Sequence, residues 1–187
     1  MPDPYVSIAL LSPDEPGFWN HVTAQPEFLD GGPDPLDRWS ARVVQAVAQT
    51  LDAMALLPFG GPPYRPFVTW ALRSGRAHGS PVSLLVHDRM GLMASWRGAL
   101  ALKHPLPATP APAPCRSCAT QPCRTACPVN ALAEDHYDLD RCHGFLDTPE
   151  GRDCMDSGCS ARRACPASRR YGRLVRESAH HMRHFHK

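Results

Sequence analysis

The sequence predicts an α+β chain. A small mixed α/β lobe occupies residues 1–102, a Pro/Ala-rich linker residues 103–114, and a cysteine-rich module ending in a helix residues 115–187. Three observations predict this. Apolar runs of strand length alternate with helical periodicity in the first hundred residues. All eight cysteines lie beyond residue 114. The stretch between, KHPLPATPAPAP, alternates proline with alanine and favours a semi-rigid, extended form that sets the two regions apart.

The chain has 187 residues, enough for one domain or two small ones. Its 43% hydrophobic content can bury a core. No run approaches the ~18–20 apolar residues of a membrane span. The 21 prolines exceed the usual share of about one in twenty, which argues for short elements.

Residues 6–11 (VSIALL) form a short apolar run bounded by turn formers and read as a strand. Residues 12–33 are rich in turn formers, with Phe18 and Trp19 as core anchors. Asp34-Pro35 opens the clearest helix, Asp34 as cap and Pro35 in the first turn. Leu36, Trp39, Val43, Val44, Val47, Leu51 and Met54 then recur at helical spacing as a core face. Pro58, Gly60, Gly61, Pro62 and Pro63 stop it. A second helix is expected from Arg65-Pro66-Phe67 to about Ala77. Residues 82–87 (VSLLVH) read as a strand, and residues 92–102 as its hairpin partner.

In the last region, residues 138–146 carry Cys142 on a short helix. Pro166 suits the first turn of a terminal helix with the stripe Tyr171, Leu174, Val175, Met182 and Phe185. The other face of that helix is basic. Residues 162–187 hold 8 Lys/Arg against Glu177 alone, with His180, His181, His184 and His186 in addition. A solvated face is one reading. A surface for an acidic partner, a flavodoxin-like donor or RNA, is the other.

The cysteines carry the chemistry. Cys115, Cys118, Cys123 and Cys127 fall in CRSCATQPCRTACP, and Cys142, Cys154, Cys159 and Cys165 follow. Cys127 and Cys165 each precede a proline. Eight thiolates are what two [4Fe-4S] clusters require. The bacterial cluster run is C-x2-C-x2-C-x3-C-P, and its fourth cysteine ligates the other cluster. Here the middle gap is two residues longer and the rest holds. On that logic Cys115, Cys118 and Cys123 pair with Cys165 on one cluster, and Cys127 joins Cys142, Cys154 and Cys159 on the other. Zinc prefers paired C-x2-C units, of which there is one. Disulfides need an oxidising compartment. The opening MPDPYVSIALLSP has neither a basic n-region nor a long h-region, so a cytoplasmic location is expected.

The module resembles the bicluster ferredoxin domain of the epoxyqueuosine reductase family, cobalamin-dependent iron-sulfur enzymes that finish queuosine on tRNA. The residues that carry the resemblance are Cys127-Pro128-Val129-Asn130-Ala131-Leu132, then Asp140-Arg141-Cys142, then the last three cysteines ending in Cys165-Pro166. Upstream, Arg65-Pro66-Phe67-Val68 is similar to the segment leading to that family's catalytic aspartate, where this chain has Thr69. A threonine hydroxyl does not supply a proton as a carboxylic acid does. The family's cobalamin lobe is also longer, and its Asp-Tyr-His segment corresponds at best to Asp37-Arg38-Trp39. The last three cysteines are spaced two residues wider than in the family.

The expectation is therefore a ferredoxin-type electron carrier with two [4Fe-4S] clusters, working with a redox protein partner and without a membrane. The alternative implied by the resemblance is a divergent reductase that binds cobalamin. No nucleophile triad, phosphate loop or carboxylate pair stands out.

Overall fold

The computed structural model describes residues 4–186. The chain is α+β, as expected, and divides into two compact units. The first takes the chain up to Gly75 together with Ser95–Pro110. The second takes Arg76–Ala94 together with residue 111 onward. This corrects the boundary expected from the linker, because residues 76–94 belong with the cysteines. Val82, Val86 and Leu92 share one apolar core with Cys123, Leu132, Ala161, Cys165 and Ala167.

The first unit is built on a three-stranded antiparallel sheet in the order β1 (Ser7–Leu11), β5 (Gly98–Leu102), β2 (Met54–Leu56). The central strand β5 is buried along its whole length. Leu100 and Leu102 pack with Val44 and Ala48 of α3 (Pro35–Thr50). Ala99 and Ala101 cluster with Leu56 and with Phe67 of α4 (Phe67–Arg73). The alternation of a strand's side chains thus supplies two apolar faces from one short segment. Residues 92–102 were expected to pair with residues 82–87. Of these, Gly98–Leu102 form the strand, and it pairs instead with β1 and β2, for example Ile8 with Ala101 and Ala55 with Leu100. At Gly98 a Cβ would stand 2.6 Å from Val44 Cγ2, so the close approach of α3 needs glycine there.

Two short helices, α1 (Phe18–Thr23) and α2 (Pro26–Leu29), occupy the stretch expected to be turns. Phe18 and Trp19 are core residues, as expected, with the Phe18 ring edge-on to Trp39 at 5.5 Å. In α3 the buried face is Leu36, Trp39, Ser40, Val44 and Ala48, whereas Val47 and Leu51 are exposed and Met54 lies in β2. Asp34 precedes the helix in a left-handed conformation and its side chain makes no cap bond. The helix begun at Phe67 ends at Arg73, and Ala77 belongs to a strand.

The second unit opens with a hairpin of β3 (Ala77–Gly79) and β4 (Leu85–His87). Two 3-10 turns follow, Pro114–Ser117 and Pro122–Arg124, then α5 (Leu139–Leu146), α6 (Arg152–Ser157), α7 (Ser160–Ala164), α8 (Pro166–Tyr171) and α9 (Val175–Phe185). Asp138 caps α5 by accepting the Arg141 N–H at 2.9 Å. The terminal helix expected to be continuous is split by Gly172 at φ 80°. The buried face of α9 is Glu177, Ser178, Ala179 and Met182, while Val175 is exposed. No helix among the described residues is long and apolar enough to cross a membrane.

A candidate metal centre of eight thiols

Apart from Cys127, the cysteines lie in 3-10 turns, at helix N-caps and within short helices. Cys115 lies in the first 3-10 turn, Cys118 closes it, and Cys123 lies in the second. Each turn opens on a proline, Pro114 or Pro122, whose fixed φ suits a first turn. Cys142 is on α5 and Cys154 on α6. Cys159 and Cys165 are the N-cap residues of α7 and α8, and Pro166 follows Cys165 at the first helical position. All eight thiols are free, with Cys123, Cys154 and Cys165 buried and the others partly so.

Cys115, Cys118, Cys123 and Cys165 line one cavity of about 460 Å³, with Asp88 and Arg170 also on its wall. That volume is in the range of about 300–1,000 Å³ typical of cofactor and ligand sites. Burial pushes the Cys115 thiol up, and Cys123, Cys165 and Cys118 push it further through their own charge. Cys123 is raised in the same way, by burial and then by Cys165. Asp88 is committed elsewhere. Burial disfavours its charge, but the Arg76 guanidinium at 2.5 Å and the neighbouring His87 hold its carboxyl below the usual range.

The other four thiols make a second neighbourhood. Cys142, Cys154 and Cys159 pack with Leu146 and Met182. Burial raises the Cys142 thiol, a bond from Tyr137 lowers it, and Cys159, Cys127 and Cys154 raise it again. The Tyr137 hydroxyl donates to Cys142 Sγ at 3.2 Å. Burial, then that same bond, pushes the phenol well above its ordinary range. The Ala131 N–H donates to Cys127 Sγ at 3.3 Å. Cys115, Cys118, Cys123 and Cys165 thus share one cavity, and Cys142, Cys154 and Cys159 share one apolar cluster, with Cys159 also packed against the core that holds Cys123 and Cys165.

Thiols bind a metal as thiolates, so binding releases their protons. Two sets of four sulfur donors fit two iron-sulfur clusters in number and kind. Among the described residues no three His, Cys, Asp or Glu side chains close into a group that could hold a metal ion.

The basic tail divides. Arg169, Arg170, Arg176 and Arg183 are exposed. Arg162 turns inward to donate to the Leu92 carbonyl at 2.5 Å, and Arg173 bonds the Met93 carbonyl at 2.8 Å. Sequence reasoning missed Tyr137, Ser160, Arg162 and the Arg76–Asp88 pair. A tyrosine five residues before a cysteine carries no motif, and Asp88 reaches the cavity only through the hairpin's tertiary position. Thr69 is exposed on α4. No protein-family model, curated protein or solved structure matches the chain.

Proposed function

We propose that the chain is a ferredoxin-like electron-transfer protein carrying two [4Fe-4S] clusters. Cys115, Cys118, Cys123 and Cys165 hold one. Cys127, Cys142, Cys154 and Cys159 hold the other. The observation that carries the reading is the set of four thiols, Cys115, Cys118, Cys123 and Cys165, around a single cavity, with Cys142, Cys154 and Cys159 packed together beside Leu146 and Met182.

A four-iron cube is wider than one ion. Its ligands stand further apart than the thiolates of a zinc site, which lie about 2.3 Å from the metal. Thiols spread around a cavity of about 460 Å³ suit the wider group. The clusters supply one-electron chemistry. The chain's own part is to bind them, to exclude water with Leu92, Leu132 and Ala167, and to aim N–H and O–H groups at the sulfurs. The partner is a redox protein, and the location is cytoplasmic.

The test is iron, sulfide and cobalt content after purification without oxygen, with an electron paramagnetic resonance spectrum of the reduced protein. About eight iron and eight sulfide per chain without cobalt is the expected result. A corrinoid near one per chain would turn the reading to a divergent cobalamin-dependent reductase. Zinc without sulfide would overturn both.

A further inference from the structure

The two sets of thiols differ in what reaches their sulfurs. The Tyr137 hydroxyl lies 3.2 Å from Cys142 Sγ, and Ser160 Oγ lies 3.3 Å from Cys154 Sγ. The Ser160 oxygen accepts a bond from Arg163 Nη2 at 3.2 Å, and toward a Cys154 thiolate, which has no proton to give, the Ser160 hydroxyl is the donor. Arg163 is itself fixed by the Gly158 carbonyl at 2.8 Å and by the Asp153 carboxylate. The Tyr137 ring lies parallel to Phe185, with centroids 6.2 Å apart and planes at 14°, and it packs against the core containing Leu132. Both hydroxyls are thus held in place by groups outside the thiol set. Among the described residues, the sulfurs these two hydroxyls reach are those of Cys142 and Cys154, and neither hydroxyl bonds Cys115, Cys118, Cys123 or Cys165.

We propose that Tyr137 and Ser160 are positioning residues that set the reduction potential of the cluster held by Cys127, Cys142, Cys154 and Cys159. The inference rests on the two-cluster reading above. A hydrogen bond to a ligating sulfur favours the more electron-rich, reduced cluster, because that state puts more negative charge on the sulfur. Each hydroxyl therefore raises the potential of this cluster and leaves the other alone.

The test is a potentiometric titration of the anaerobically purified full chain, followed by electron paramagnetic resonance. Tyr137→Phe and Ser160→Ala are compared with the wild type, and iron and sulfide are measured on each sample. The cluster concerned is the one lost in Cys127→Ser. Each substitution should shift its reduction equilibrium about tenfold toward the oxidised form, ~59 mV lower for one electron, while the second step stays in place. If one variant fails to load, the other decides. A loaded variant with both potentials unchanged overturns the proposal. So does loss of the cluster in both variants, which would assign the hydroxyls to assembly. A wild-type protein without iron and sulfide defeats the two-cluster reading itself, and that outcome is visible before any potential is measured.

Discussion

The backbone N–H of Leu92 donates to the Ser168 hydroxyl at 2.9 Å, joining the loop after β4 to α8 across 76 residues of sequence. Leu92 is 1% exposed and Ser168 4%, so water cannot replace this bond. The Leu92 carbonyl accepts from Arg162, so both backbone groups of one residue are satisfied by the cysteine module. Ser168→Ala should strand the N–H and destabilise the second unit by about 1–3 kcal/mol. The neighbouring Gly91 is at φ 57°, and a Cβ there would stand 2.3 Å from the Ser168 nitrogen. Gly91→Ala should therefore cost more than Ser168→Ala. Denaturant unfolding of the two variants checks the order, and equal or negligible losses would break the argument.

The partition of thiols predicts two distinct lesions. Cys118→Ser should remove the cluster at the cavity lined by Cys115, Cys123 and Cys165. Cys127→Ser should remove the cluster that uses Cys142. Each should retain about four of eight iron, and the surviving resonance signals should differ. The same surviving signal from both variants would mean that the pairing is wrong.

How much of this was legible follows from which contacts are local. The cysteine spacing put Cys115, Cys118 and Cys123 in one short loop, and these three line one cavity together with Cys165. The helix α3 announced itself through Leu36, Trp39 and Val44. Strand β5 did not. Residues 98–102 are apolar at every position and carry no period, and their partners are 87–95 residues away in β1. Such pairings leave no trace in a local window. The hairpin β3–β4 was misplaced for a related reason. Its allegiance to the cysteines depends on Val82, Val86 and Leu92 meeting Cys123 and Cys165 in space. Helices α1 and α2 are six and four residues long, too short for periodicity to register. Glu177 is the plainest reversal, since a lone acid in a basic stretch reads as solvent-facing.

Asp30 gives a pH dependence in the first unit. Its carboxylate accepts bonds from Arg38 at 2.7 and 2.8 Å and from the Gly32 N–H at 2.8 Å. The Arg38 bond, then that of Gly32, lowers its pKa from 3.8 to about 2. Between those values the unfolded chain binds more protons than the folded one. The tie therefore contributes fully above about pH 4 and is lost as pH falls toward 2. Carboxyl chemical shifts should place the Asp30 midpoint near 2 in the wild type and return it toward the ordinary value in Arg38→Ala. A wild-type midpoint near 4 would show that the bonds do not persist in solution.

The buried pair Arg173–Glu177 gives the sharpest stability test. Their side chains are 6% and 0% exposed, with Arg173 Nε 3.2 Å from Glu177 Oε1. His181 approaches the same oxygen at 3.6 Å. Neither Glu177 oxygen accepts a well-aligned hydrogen bond. The pair is therefore held by charge at close range, with desolvation set against it. Glu177→Gln leaves the Arg173 cation buried without its counter-charge and should cost about 3–5 kcal/mol. Replacing both, Arg173→Met with Glu177→Leu, removes the uncompensated charge, although it also loses the Arg173 bond to the Met93 carbonyl. The double variant should be more stable than Glu177→Gln. A double variant less stable than the single one would mean that the pair is net stabilising as it stands, and that desolvation is the smaller effect here.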